Sequence, residues 1–163
     1  MKAKQSLGFI LAFAATWANA FCFAEAAQRY GVDERLLMAI AKQESDFKPH
    51  ATHTNENGSV DVGLMQINSQ HFKTLRRFNI TEQSLLDPCV NVHVGAWILS
   101  MAIKEHGPTW RAVGAYNAGG KPEREADRIN YAAKVFKHLE RLTKKPPSLA
   151  AEPKAVYSMQ VIE

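Results

Sequence analysis

The chain has 163 residues, 46% of them hydrophobic and 22% charged, and a net charge of +4. That length favours one domain around one core, and that composition excludes a disordered or fibrous chain. No run of Lys or Arg forms a stripe, so nucleic acid is not an expected partner.

Lys2 and Lys4 precede an apolar stretch from Leu7 to Trp17, followed by Ala18-Asn19-Ala20. A basic start, a short apolar run and small residues around one bond make a cleavable signal peptide over 1–20. The apolar run falls well short of the roughly 20 residues that cross a bilayer. The chain is therefore not expected to be membrane-spanning after cleavage. Losing Lys2 and Lys4 lowers the net charge to +2, a weakly basic surface that suits an anionic polymer. Phe21 is too bulky to precede a lipidated Cys22.

Two cysteines remain, Cys22 and Cys89. In an exported chain an even pair is most simply one disulfide, formed in an oxidising compartment such as the periplasm. Closing so long a loop stabilises the fold by about 3–4 kcal/mol in the chain-entropy model, and it ties down a terminus. A catalytic thiol or a metal pair lacks a matched His or a further Cys.

A first short helix begins near Cys22 and ends at Gly31. Asp33 caps a second, with Leu36, Leu37, Ile40 and Ala41 at helical spacing. Residues 50–62, with Asn55, Asn57 and Gly58, read as a turn or short hairpin. A helix is expected from about Ser69 to Phe78, and a short turn from Thr81 to Leu86. Asp87-Pro88 opens a helix through Val94, Trp97, Ile98 and Met101 that Gly107-Pro108 ends. Thr109 caps the next, carrying Trp110 and Val113 and stopped by Gly119-Gly120. The last helix runs from about Glu123 to Leu142, with Ile129, Ala132, Val135, Phe136 and Leu139 on one face. Lys144-Lys145-Pro146-Pro147 breaks that pattern, so 144–163 reads as a flexible tail. Its end carries Val156, Tyr157, Met159 and Val161, either a docking strand or a loose terminus. The expected domain covers 21–143 and is α+β, predominantly α-helical, with one short β-hairpin excursion.

Glu44 shares a helical face with Leu37, Ile40 and Ala41. A carboxyl that continues an apolar stripe is driven inward, where burial raises its pKa as a general acid requires. The bland alternative is a stripe-edge Glu paired with Lys42 or Lys48. In Gly63-Leu64-Met65-Gln66-Ile67-Asn68, Gly63 lets backbone approach a ligand, while Gln66 and Asn68 offer hydrogen bonds to acetamido and hydroxyl groups. The alternative is a loop-to-helix junction with Leu64 and Met65 in the core. Ala115-Tyr116-Asn117-Ala118-Gly119 sets a flat aromatic hydroxyl beside an amide, which suits sugar rings or, equally, a helix end with a buried tyrosine. The six histidines form no HExxH or Cys-His set, and no phosphate-cradling glycine loop or GxSxG elbow occurs. No metal and no cofactor is expected.

Glu44-Ser45, the Gly63–Asn68 block and the Ala115–Gly119 block resemble, in order and approximate spacing, the signature blocks of the lytic transglycosylase domain, a family related to goose-type lysozyme. The resemblance runs from about Phe23 to Leu142. With Cys22, Asp87-Pro88-Cys89 and the 63–69 stretch, it is nearest to small single-domain members that accompany secretion systems, conjugation machinery and type IV pili. It implies a lysozyme-like fold and cleavage of the β-1,4 bond between N-acetylmuramic acid and N-acetylglucosamine in peptidoglycan glycan strands, in the periplasm. Components of a secretion, conjugation or pilus machine would be further partners. By position, Glu44 would protonate the glycosidic oxygen and later act as base, and Ser45 would help orient the site. Gln66, Tyr116 and Asn117 would contact the sugar, and Tyr131 would stand near the catalytic carboxyl.

Asp61, just before Val62-Gly63, departs from the large soluble transglycosylases, in which the stretch after the catalytic residue is shorter. A transglycosylase needs one carboxyl, because the substrate's C6 hydroxyl closes a 1,6-anhydro ring. A lysozyme uses two, which Glu44 and Asp61 could supply. Asp61 is otherwise a turn residue bonding its own backbone. From another class, a non-catalytic peptidoglycan-binding scaffold protein needs no acid on an apolar stripe.

Overall fold

The computed structural model describes residues 21–144; the leader expected at 1–20 and nearly all of the expected tail lie outside them. Each helix starts and stops on local chemistry. Helix α1 (Phe23–Tyr30) ends at Gly31, whose left-handed φ of 66° sends its N–H back to Ala27 O. Helix α2 (Glu34–Ser45) starts where Asp33 accepts the Leu36 N–H at 2.9 Å. Asp87 does the same for α4 (Pro88–His106) through the Val90 N–H, with proline at the first position. Thr109 caps α5 (Trp110–Ala118). A 3-10 turn at Pro122–Arg124 leads into α6 (Glu125–Lys144).

Between α2 and α4 the chain makes a small antiparallel sheet of β1 (Thr52–Thr54), β2 (Val60–Val62) and β3 (Ile67–Asn68), in that spatial order. Asn57-Gly58 turns the β1–β2 hairpin, with Gly58 at φ 80°. The sequence pattern predicts the hairpin alone, and the third strand is additional to it. Two residues carry too short an alternation to reveal a strand. Pairing Ile67 with Val62 buries both side chains completely.

Helix α2 forms the middle of the core, with Leu36, Leu37, Ile40 and Ala41 sealed from solvent. Helix α6 packs across α2 and α5, and α1 lies on α4. Burying each large aliphatic side chain contributes about 1.5–3 kcal/mol. The fold is thus α+β, predominantly helical, as expected.

One expectation about the helices is corrected. The stretch from Ser69 to Phe78 is not one helix but a 3-10 turn, a four-residue α3 (Phe72–Leu75) and another 3-10 turn. Only Leu75 in it is buried, while Phe78 is 65% exposed, so the segment has too narrow an apolar face to hold a regular helix. On α6 the buried arc is Arg128, Tyr131, Ala132 and Val135, whereas Ile129 and Phe136 stand out in solvent. Helices α2 and α5 flank α6 on one side only, and their arc is narrower than the apolar stripe.

Cys22 and Cys89 are bonded, with Cα atoms 5.1 Å apart and a sequence separation of 67. The bond fastens the start of α1 to the start of α4. Alkylation of the native protein should label neither cysteine. Reduction should lower the melting temperature by roughly 10 °C or more, given about 4 kcal/mol from a loop of this length. Unchanged melting on reduction would count against a stabilising role for the bond.

Candidate active site

Glu44 lies in the last turn of α2, on the line continued from Leu37, Ile40 and Ala41. Its environment is mostly desolvated, and Tyr131 of α6 donates a hydrogen bond to Oε1. Burial is the largest influence on the carboxyl and raises its pKa to about 7. The Tyr131 hydrogen bond favours the ionised form and pulls the other way, while the negative charge of Asp61 adds to the rise. Lys42, the suggested surface partner, pairs with Asp46 instead.

Asp61 sits mid-strand on β2, opposite His53 of β1 and Asn68 of β3. Successive strand residues face opposite ways, so with Val62 in the core Asp61 is directed to the other face. Asn55 donates to Oδ2 at 2.8 Å and Asn68 to Oδ1 at 2.7 Å. The same two amides reach Ser59 Oγ, at 3.0 and 3.1 Å. Asp61 therefore bonds neighbouring side chains rather than its own backbone.

The segment from Gly63 to Gln66 connects these parts. The reading of Gly63 as room for a ligand is corrected. A Cβ there would lie 2.1 Å from Asn91 Nδ2, so the glycine, at φ 81°, makes way for a buried amide. Asn91 is fully buried. It accepts the Met65 N–H at 2.7 Å and donates to Val62 O and Leu85 O at 2.9 and 2.8 Å. Ser45 Oγ donates to Leu64 O at 2.6 Å and accepts the Lys48 N–H. Tyr116 donates to Met65 O at 2.8 Å. Gln66 adopts a left-handed φ of 50°, with its Nε2 bonded to Gly63 O and Ala51 O.

Glu44, Asp61, Gln66, Asn68, Tyr116 and Asn117 all line one cleft of about 1200 Å³. Two expected residues stand behind its surface. Tyr131 backs Glu44, and Ser45, also buried, pins the end of α2 to the 63–66 segment. Asn68 uses its amide on Asp61 and Ser59 and its carbonyl on the Gln70 N–H, so it acts inside the wall as well as on it.

Sequence reasoning missed Asn91 and Arg128. The guanidinium of Arg128 is buried and donates to Gly119 O at 2.7 Å and Lys121 O at 2.8 Å, holding the opposite wall. An arginine on an amphipathic helix ordinarily reads as solvent-facing, and nothing local marks Arg128 as an exception. Asn55 was legible only as a turn residue.

A cleft lined by amides, hydroxyls and carboxylates, with one carboxyl poised near neutrality, can bind a polar polymer and deliver a proton to it. The Transglycosylase SLT domain model matches residues 21–139. The chain is 46% identical over 135 residues to Invasion protein IagB of Salmonella typhimurium, covering 82% of this chain and 83% of that one. To Protein IpgF of Shigella flexneri it is 40% identical over 134 residues, covering 82% and 88%. Among solved structures it is similar to an inactive mutant of the lytic transglycosylase Slt from Pseudomonas aeruginosa. That likeness has a TM-score of 0.59 at 26% identity and covers 77% of this chain, which spans 24% of that much longer protein. With the matched model covering most of the chain, the protein belongs to the transglycosylase SLT domain family of lytic transglycosylases, and it has their lysozyme-like fold.

Proposed function

We propose that this chain is an exported peptidoglycan lytic transglycosylase that cuts the β-1,4 bond between N-acetylmuramic acid and N-acetylglucosamine and leaves a 1,6-anhydro end. The observation that carries the reading is the carboxyl of Glu44, half-buried in the lining of a polar cleft with its pKa raised to about 7. Protonated Glu44 gives its proton to the glycosidic oxygen as the bond to C1 breaks. Its carboxylate then takes the proton of the C6 hydroxyl, whose oxygen bonds C1. No water is consumed, and the acid is regenerated. Tyr131 holds the carboxyl in place, while Gln66, Tyr116 and Asn117 contact the sugars along the cleft.

Asp61 stands within electrostatic reach of Glu44 and is held by two amide donors. In this role it stabilises the positive charge that develops at C1. The same geometry supports a second reading, a hydrolytic lysozyme in which Asp61 is the second carboxyl. The basic-apolar leader of residues 1–20 supports export to the periplasm. The likeness over most of its length to a protein named for invasion supports local wall opening for a secretion, conjugation or pilus apparatus.

Glu44→Gln should abolish muropeptide release while binding to purified sacculi persists, because an amide keeps the shape but delivers no proton. A folded variant that still lyses at the wild-type rate would overturn the assignment. Wild-type activity should fall as pH rises through about 7. Tyr131→Phe should move that limb to higher pH, since it removes a hydrogen bond that favours the carboxylate.

The same titration appears in stability. The carboxyl ionises near 4.5 when unfolded and near 7 when folded. Wild type therefore loses up to about 3 kcal/mol across that window as pH rises, and Glu44→Gln should not share the loss. Denaturant melts at pH 5 and pH 8 measure it.

Asp61→Asn should lower turnover at least about 10²-fold without unfolding the protein. Mass spectrometry of the products separates the two chemistries. Anhydro ends are expected, and reducing ends alone would establish the lysozyme reading.

A further inference from the structure

Helix α6 presents two faces. Its inner arc carries Tyr131 toward Glu44. At about 100° per residue, Ile129 and Phe136 lie roughly 140–160° around the helix from Tyr131, away from the cleft. There they form, with Trp110 and Ala133, a groove of about 700 Å³ between α5 and α6. Ile129 is 61% exposed and Phe136 44%, and Trp110 meets Phe136 edge to face at 5.2 Å. A continuous exposed apolar strip of this kind calls for an occupant.

We propose that the occupant is this chain's own tail, with Tyr157, Met159 and Val161 seated in the groove. The three apolar residues recur at every second position, with Ser158 and Gln160 between them, so an extended segment turns all three to one side. From Tyr157 to Val161 such a segment measures about 13 Å, and the strip from Ile129 to Glu140 on α6 measures about 16 Å. The tandem Pro146-Pro147 does not favour a continuation of α6. The eleven residues 145–155 reach up to about 36 Å when extended, ample to double back.

Ion pairs close both ends of the groove, Arg111 with Glu125 and Lys144 with Glu140, each at 3.3 Å, and leave the apolar strip between them for the triplet.

The test uses the full exported chain with its disulfide intact, isotope-labelled and carrying a nitroxide at Gln160→Cys. Amide signals of Ile129, Ala133 and Phe136 should lose at least half their intensity, and tenfold dilution should not restore them. The combined Tyr157→Ser, Met159→Ser and Val161→Ser variant, altered only beyond α6, should restore them, as should Phe136→Asp in the groove. Signals untouched by the nitroxide would overturn the proposal. So would loss arising when nitroxide and isotope are on different molecules, which would mean a second copy fills the groove.

Discussion

The arrangement of the cleft depends on one buried amide. Asn91 satisfies the Met65 N–H and the carbonyls of Val62 and Leu85 at once, in a place where water cannot substitute for it. An unsatisfied buried polar group costs about 1–3 kcal/mol, so this side chain dictates the path of the main chain around it. Ser45 then fastens the end of α2 to Leu64, and Tyr116 fastens α5 to Met65. Elements distant in sequence thereby meet at four residues of backbone. The position of Glu44 relative to Asp61 and Tyr116 follows from that meeting.

The electrostatics are a balance rather than one dominant force. Burial raises the pKa of Glu44, and the hydrogen bond from Tyr131 pulls it back. Burial, together with the charge of Glu44, also drives the hydroxyls of Tyr116 and Tyr131 well above their ordinary range. Both remain neutral donors while a nearby carboxyl changes state. In the proposed reaction this matters, since an acid that must give up and recover a proton needs neighbours that do not compete for it.

Much of this was legible in the sequence because it rests on local rules. Asp33, Asp87 and Thr109 announced their helices through short-range capping, and Gly31 ended one through its left-handed backbone. Glu44 was found through helical periodicity, and its neighbours through resemblance to a family. What stayed hidden depends on contacts between distant segments. The bonds of Asn91 to Val62 and Met65 span more than twenty positions, and no pattern around Asn91 announces them. Asp61 offered two readings because two-residue β3, which supplies Asn68 beside it, is too short to signal itself. Gly63 was correctly seen as a site of close approach, but the approaching group comes from within the protein.

The far wall of the cleft is held differently from the near one. Arg128 grips it by the carbonyl oxygens of Gly119 and Lys121, groups that every amino acid possesses. The side chains of Lys121, Glu123 and Arg124, which face the cleft from this wall, take no part in that grip. A substitution at any of them alters the lining without loosening the strut. This rim can therefore diversify among related proteins, or be rewritten by design to favour differently modified glycan strands, while the scaffold beneath it stays constant.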